Sequence, residues 1–289
     1  MQPHRLLAVL WLAAAAVLLA VGAVRQPSSN CQRKCGQVDI PYPFGIGPDD
    51  CALLPGFILK CDDNTSGGGP FVSFSQQVHH VDVVSISLLQ GQAQMVSHIS
   101  SSCYNSTSQK MDNDSRWVLD FSNTPYRFSS TKNRFTVIDA KRWRTSKTTT
   151  TRATRAGCCQ TAIPKGLQSY FPTFVNFDTT QLYNFSPCSY AVLMDSSEFS
   201  FQMSYVTSPE FNITNRGKKP LAIDWAIGNE TCHVARTKPD YACVSPHSEC
   251  INSSNGPGYI CNCTQGYEGN PYLVDPEQGC KVIFLGITI

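Results

Sequence analysis

Charge of either sign is scarce in this 289-residue chain, where 23 Lys and Arg stand against 21 Asp and Glu. Without a net basic field there is no general case for a nucleic acid partner. Long apolar runs are equally few: beyond the first 26 residues none can span a bilayer, the closing VIFLGI included. No later segment sustains an apolar helical period through three turns, which sets helix bundles aside. Catalytic signatures are missing as well. There is no GxSxG elbow, phosphate loop or HExxH, and the carboxylates are scattered without nominating an acid and base pair. His79 and His80 fall on opposite faces of an expected strand, so they do not converge on one metal. The expectation is a non-enzymatic protein with no cofactor and no metal site.

What the chain does have begins with a leader. His4 and Arg5 precede an uncharged run from Leu6 to Val24, and small residues Val21 and Ala23 suit cleavage, so residues 1–23 read as a secretory signal peptide. The run is long enough to serve instead as an uncleaved membrane anchor, the alternative localisation. All 14 cysteines follow the leader, an even number that suits an oxidising compartment and a disulfide framework. Eight Asn-x-Ser/Thr sequons point the same way, with glycosylation expected at Asn64, Asn105, Asn113, Asn212, Asn229 and Asn252, besides further matches at Asn184 and Asn262. A secreted chain facing the outside of the cell accounts for all three features.

Alternating or clustered β-branched and aromatic residues mark strands in QVHHVDVVSISLL ending at Leu89, NRFTVID (Asn133–Asp139), YAVLMD (Tyr190–Asp195) and EFSFQMSYV (Glu198–Val206). The expected fold class is mainly β: one or two disulfide-rich antiparallel β domains from Cys31 to about Val206, a spacer at 207–228, and a small cysteine-rich module. In that module six cysteines (Cys232, Cys243, Cys250, Cys261, Cys263 and Cys280) fall in a segment with little apolar content. So small a unit can scarcely bury a core, and crosslinks stand in for one. Spacing alone leaves fifteen pairings open.

The short motifs CGQVDIPYPFGI, FILKCDD, ISLLQGQ, ISSSCYN, NRFTVI, GCCQTAIPKGL, SPCSYAVLMD and CNCTQGYEGNPY, in that order, resemble the extracellular region of plant wall-associated receptor kinases. The resemblance implies a galacturonan-binding type cysteine-rich domain at 31–103, a β-rich continuation at 104–206, an epidermal growth factor (EGF)-like module at 229–281 and a tail at 282–289. It further implies the pairs Cys232–Cys250, Cys243–Cys261 and Cys263–Cys280. Three departures stand out. DAKRWRTSKTTTTRATRAG (Asp139–Gly157) replaces the family's cysteine-rich loop, leaving the partners of Cys103, Cys158, Cys159 and Cys188 open. The chain stops at VIFLGITI, where the family continues into a calcium-binding EGF module, a membrane span and a kinase. IGNETC offers Asn229 and Glu230 without a preceding Asp, short of the oxygen ligands that calcium needs.

By that resemblance the ligand is a pectic polysaccharide or oligogalacturonide, a polyanion that Lys and Arg can pair with while aromatic faces lie against its sugar rings. Arg33, Lys34, Tyr42, Phe44 and Lys60 are the candidate contacts. For Tyr42 and Phe44 packing into the core is the competing reading. The basic run from Lys141 to Arg155 is a second candidate or simply a divergent loop. A different class of function is a protein-interaction module, a decoy or co-receptor with a membrane receptor kinase as partner.

Overall fold

The computed structural model describes residues 26–62, 68–73, 80–139, 157–174, 185–214 and 216–283, the side chains of 112–114 and 159 excepted. The leader at 1–23, His79, the sequons at Asn64 and Asn184, the side chain of Asn113, the basic run at 141–155 and the last six residues of the tail lie outside them.

The fold is mainly β. In chain order the principal strands are β1 (Gly45–Ile46), β2 (Ile58–Cys61), β3 (Pro70–Val72), β4 (Val81–Ser87), β5 (Gln92–His98), β6 (Ser100–Asn105), β7 (Lys110–Ser115), β8 (Tyr126–Phe128), β9 (Asn133–Asp139), β10 (Gly157–Ala162), β11 (Cys188–Asp195), β12 (Lys218–Trp225), β13 (Ser248–Asn252) and β14 (Tyr259–Cys263). They form a seven-stranded sheet in the order β8-β12-β5-β4-β3-β2-β1, a five-stranded sheet in the order β10-β9-β11-β6-β7, and the β13-β14 hairpin of the C-terminal module. The pairings are antiparallel except that β1 runs parallel to β2. Single 3-10 turns at Asp49–Cys51 and Pro55–Phe57 carry the chain back between those two.

The expected divisions at 103/104 and 207–228 do not hold. The first falls inside β6, and the supposed spacer contains β12, which lies in the middle of the larger sheet between β8 and β5. The reason is visible in KKPLAIDW: Lys219, Leu221, Ile223 and Trp225 are buried and Lys218 is exposed, a period of two that Pro220 and the neighbouring charges disguise. EFSFQMSYV is the other misread segment. It forms a 3-10 turn at Ser196–Glu198 and a helical turn at Ser204–Thr207, not a strand. Tertiary packing overrides local propensity there, because the turns let Val206, Phe199 and Tyr205 pack with Phe211 onto β11.

β11 is buried along its whole length, which explains its unbroken apolar run. Leu193 faces the main core, while Tyr190, Val192 and Met194 face a smaller one with Ile99, Ile138 and Phe211. β11 also packs beside β12 and β5, joining the two sheets. Buried Asn133 reinforces that junction: its Nδ2 donates to the Ala222 carbonyl at 2.6 Å and its Oδ1 accepts from the Ala222 N–H at 3.0 Å, like one rung of a ladder.

Six disulfides are described. Cys35–Cys61 ties the N-terminal segment to the sheet, Cys31–Cys51 ties it to the 3-10 turn after β1, and Cys103–Cys188 links residues directly opposite each other on β6 and β11. Cys232–Cys250, Cys243–Cys261 and Cys263–Cys280 crosslink the C-terminal module. That module is not a pendant bead. Tyr259, Cys261, Tyr272 and Leu273 belong to the same core as Phe44 and Trp225, and Ile227 pairs with Tyr259 across the junction. Asn255 Nδ2 donates to the Phe128 carbonyl at 2.9 Å and to Asp224 Oδ2 at 2.8 Å. A Cβ on Gly258 would come within 2.6 Å of the Gly228 carbonyl, so only glycine permits this approach.

Candidate functional site

The PYPF segment that the sequence offered as ligand-binding is core. Tyr42 is 2% and Phe44 1% exposed. The Phe44 ring stands edge-on to Phe57 at 5.0 Å and to Trp225 at 5.2 Å. Asn270 of the C-terminal module donates to the Tyr42 carbonyl at 2.8 Å, closing the cover from outside. Tyr42 and Phe44 are therefore removed from the ligand contacts: two large aromatics within the main core gain more from burial than from solvent exposure.

The three candidate cations are exposed. Arg33 and Lys34 sit at a two-strand ribbon, Lys34–Cys35 paired with Val38–Asp39, where Lys34 Nζ lies 3.9 Å from Asp39 Oδ1. Partial burial lowers the Arg33 pKa from the usual arginine value and neighbouring Tyr42 opposes the shift. Lys60 lies on β2, and the Cys35–Cys61 bond fastens the ribbon to that strand.

From Lys60 a row of side chains crosses the larger sheet. Lys60 is opposite Phe71, and Phe71 is opposite Asp82; directly opposed residues share a sheet face. This is the face turned away from the main core. His80 packs its ring 4.7 Å from Phe71 and places Nε2 3.2 Å from Asp82 Oδ1. On the other side Asp82 Oδ2 accepts from Lys218 Nζ at 3.0 Å. Lys218 is in turn opposite His98, whose ring lies 5.1 Å from Trp117.

Two concavities open on this face. One, of about 570 Å³, is lined by His80, Asp82, His98, Arg116, Trp117 and Lys218, with Asn212 in its wall. The other, of about 430 Å³, runs over Val84, Gln94, Val96 and Pro220 to Arg216 and Lys218. Val84 shares the outward strand face of Asp82 and is exposed in the second, beside a bulge between Val83 and Ser85. Lys218 belongs to both.

Of the residues on this face the sequence offered Lys60 as a candidate contact, and not Arg116, Arg216, Lys218 or His98. They come from three separated segments, two of them read as continuation and spacer. The alternation in KKPLAIDW was the one available signal for Lys218.

Among the described residues no helix is long and apolar enough to cross a membrane. Residues 31–97 match the family described as wall-associated receptor kinase galacturonan-binding. Wall-associated receptor kinase 1 of Arabidopsis thaliana is 28% identical over 281 residues, covering 89% of this chain and 35% of that protein. Wall-associated receptor kinase 2 of the same plant is 29% identical over 286 residues, with the same shares. Wall-associated receptor kinase-like 5 is 40% identical over 90 residues, 28% of this chain and 12% of that one. The chain thus spans about a third of the length of the first relatives it matches. No solved structure matches it. The chain carries a wall-associated receptor kinase galacturonan-binding domain at its N-terminal end and, over nearly its whole length, resembles the extracellular region of wall-associated receptor kinases.

Proposed function

We propose that this chain is an extracellular, non-catalytic polysaccharide-binding protein that recognises pectic galacturonan in the plant cell wall. The observation that carries the reading is the galacturonan-binding family match over residues 31–97. The exposed cations at Arg33, Lys34 and Lys60 supply chemistry of the right sign for a chain with one carboxylate per sugar. The leader at 1–23 and the glycosylation sequons fit a secreted product. Residues 229–281 are an EGF-like module in this reading, supported by the order of its crosslinks, first cysteine to third, second to fourth and fifth to sixth.

The test is retention of the purified secreted protein on immobilised de-esterified oligogalacturonide. Binding is expected at low salt and should weaken steeply as salt is raised, since exposed charge pairs are screened over about 10 Å at 0.1 M. Equal retention on a neutral glucan, or none at low salt, contradicts the reading.

A further inference from the structure

We propose that the acidic saccharide lies across the open face of the seven-stranded sheet, along the two concavities that share Lys218, so that most of the cations it meets (Arg116, Arg216 and Lys218) come from outside residues 31–97. The inference rests on the galacturonan reading above and says where on the molecule that ligand is held.

Shape is the first argument. A linear polymer needs an extended track, and the concavities of about 570 and 430 Å³ adjoin through one side chain, Lys218. Together they run from Arg116 past His98 and Lys218 to Arg216, a track that requires the Asn212 sequon in the wall of the first to carry no glycan. Neighbouring strands lie about 4.8 Å apart, a step comparable to one pyranose ring, so regularly spaced carboxylates meet successive strands.

Charge is the second. The ionisable groups lining the two concavities are His80, Asp82, His98, Arg116, Arg216, Lys218 and Lys219. Arg116, Arg216 and Lys218 are exposed, and among the described residues Asp82 is the acid lining the concavities. Lys219 is buried, its ammonium 4.8 Å from the Phe211 ring centroid, and takes no part. Asp82 holds Lys218 at 3.0 Å and His80 at 3.2 Å, as a carboxylate of the ligand would. It acts as an internal stand-in that an incoming uronate must displace or share. Lys60 and Phe71, on the same cross-strand row, extend the track toward the N-terminal ribbon.

Contiguity points the same way. The family match ends at residue 97, yet β12, which carries Lys218, is hydrogen-bonded to β5 along its length. A piece limited to residues 31–97 would lack Lys218, Arg216 and Arg116 and would also leave an edge of the sheet bare.

The experiment compares the full secreted chain with Lys218→Gln combined with Arg116→Gln, with Asp82→Asn, and with Arg33→Gln combined with Lys34→Gln. Affinity for a de-esterified oligogalacturonide is measured by calorimetry, and thermal midpoints check folding. The Lys218/Arg116 variant is expected to bind roughly tenfold more weakly, the loss of about 1.4 kcal/mol of charge-assisted bonding. Asp82→Asn is expected to bind roughly threefold more tightly, because it frees Lys218. A merely structural ion pair would not give that opposite sign. If the Lys218/Arg116 variant fails to fold, the Asp82→Asn result decides alone. Unchanged affinity in the Lys218/Arg116 variant beside its loss in the Arg33/Lys34 variant overturns the placement and leaves the galacturonan reading standing. Weaker binding by Asp82→Asn also overturns the placement. A wild-type chain that ignores the oligogalacturonide overturns the reading, and the placement falls with it.

Discussion

Phe44 shows how one residue can carry an ambiguous sequence and an unambiguous structure. It contacts Phe57, Tyr126 and Trp225 in the centre of the main core. Phe44→Ala should lower stability by about 3 to 5 kcal/mol in chemical denaturation, the usual cost of removing a fully buried ring. Nothing in PYPF distinguishes an aromatic that meets sugar from one that meets Trp225, because that tryptophan lies 181 residues on, from 44 to 225. The phenols of Tyr126, Tyr170 and Tyr272 are also buried, and burial raises each pKa above the ordinary tyrosine value of about 10. The folded state therefore holds these protons more tightly than the unfolded one. Their contribution to stability is complete below about pH 10 and is lost as pH climbs toward the raised folded values. Ultraviolet titration should show these three phenols ionising only as the protein unfolds; a smooth titration of all eleven tyrosines near pH 10 in the folded chain contradicts their burial.

At the level of elements, legibility followed pattern strength. β4, β9 and β11 could be read from VDVVSIS, NRFTVID and YAVLMD because each places its apolar residues where one sheet face, or both, is covered. β12 could not, since its proline and charges break the apolar run although its alternation is intact. The pairing of Cys103 with Cys188 was equally out of reach, because only the register of β6 against β11 sets them opposite each other. That bond spans 85 residues and should restrain the unfolded chain strongly. Replacing both cysteines by alanine is expected to cost about 2 to 5 kcal/mol in chemical denaturation, with a steeper dependence on denaturant because the uncrosslinked unfolded chain exposes more surface. A variant as stable as the parent would show that the strand ladder alone fixes this register.

For the whole molecule, the main departure from the sequence reading is that the C-terminal module shares a core with the β domain. The linear order suggested a spacer and a bead; β12 and the Ile227–Tyr259 pairing make them continuous. Both should therefore unfold in a single calorimetric transition, with enthalpies from heat and from temperature dependence in agreement. Two separated transitions would contradict the shared core. Removing Cys232–Cys280 would strip Tyr259 and Tyr272 from beside Trp225 and Phe44, so a truncation mixes loss of partner contacts with loss of stability. Substitutions of exposed residues on the module, such as Val234 or Val274, separate those effects better.

The most direct measurement of the account is amide hydrogen exchange on the intact secreted chain, with and without de-esterified oligogalacturonide at low salt. Slowed exchange is expected in β4, β5 and the start of β12, around Asp82, His98 and Lys218, with no such change on adding the methyl-esterified sugar. Protection confined to the ribbon at Lys34–Asp39 or to the C-terminal module, or no ligand-dependent protection anywhere, would contradict it.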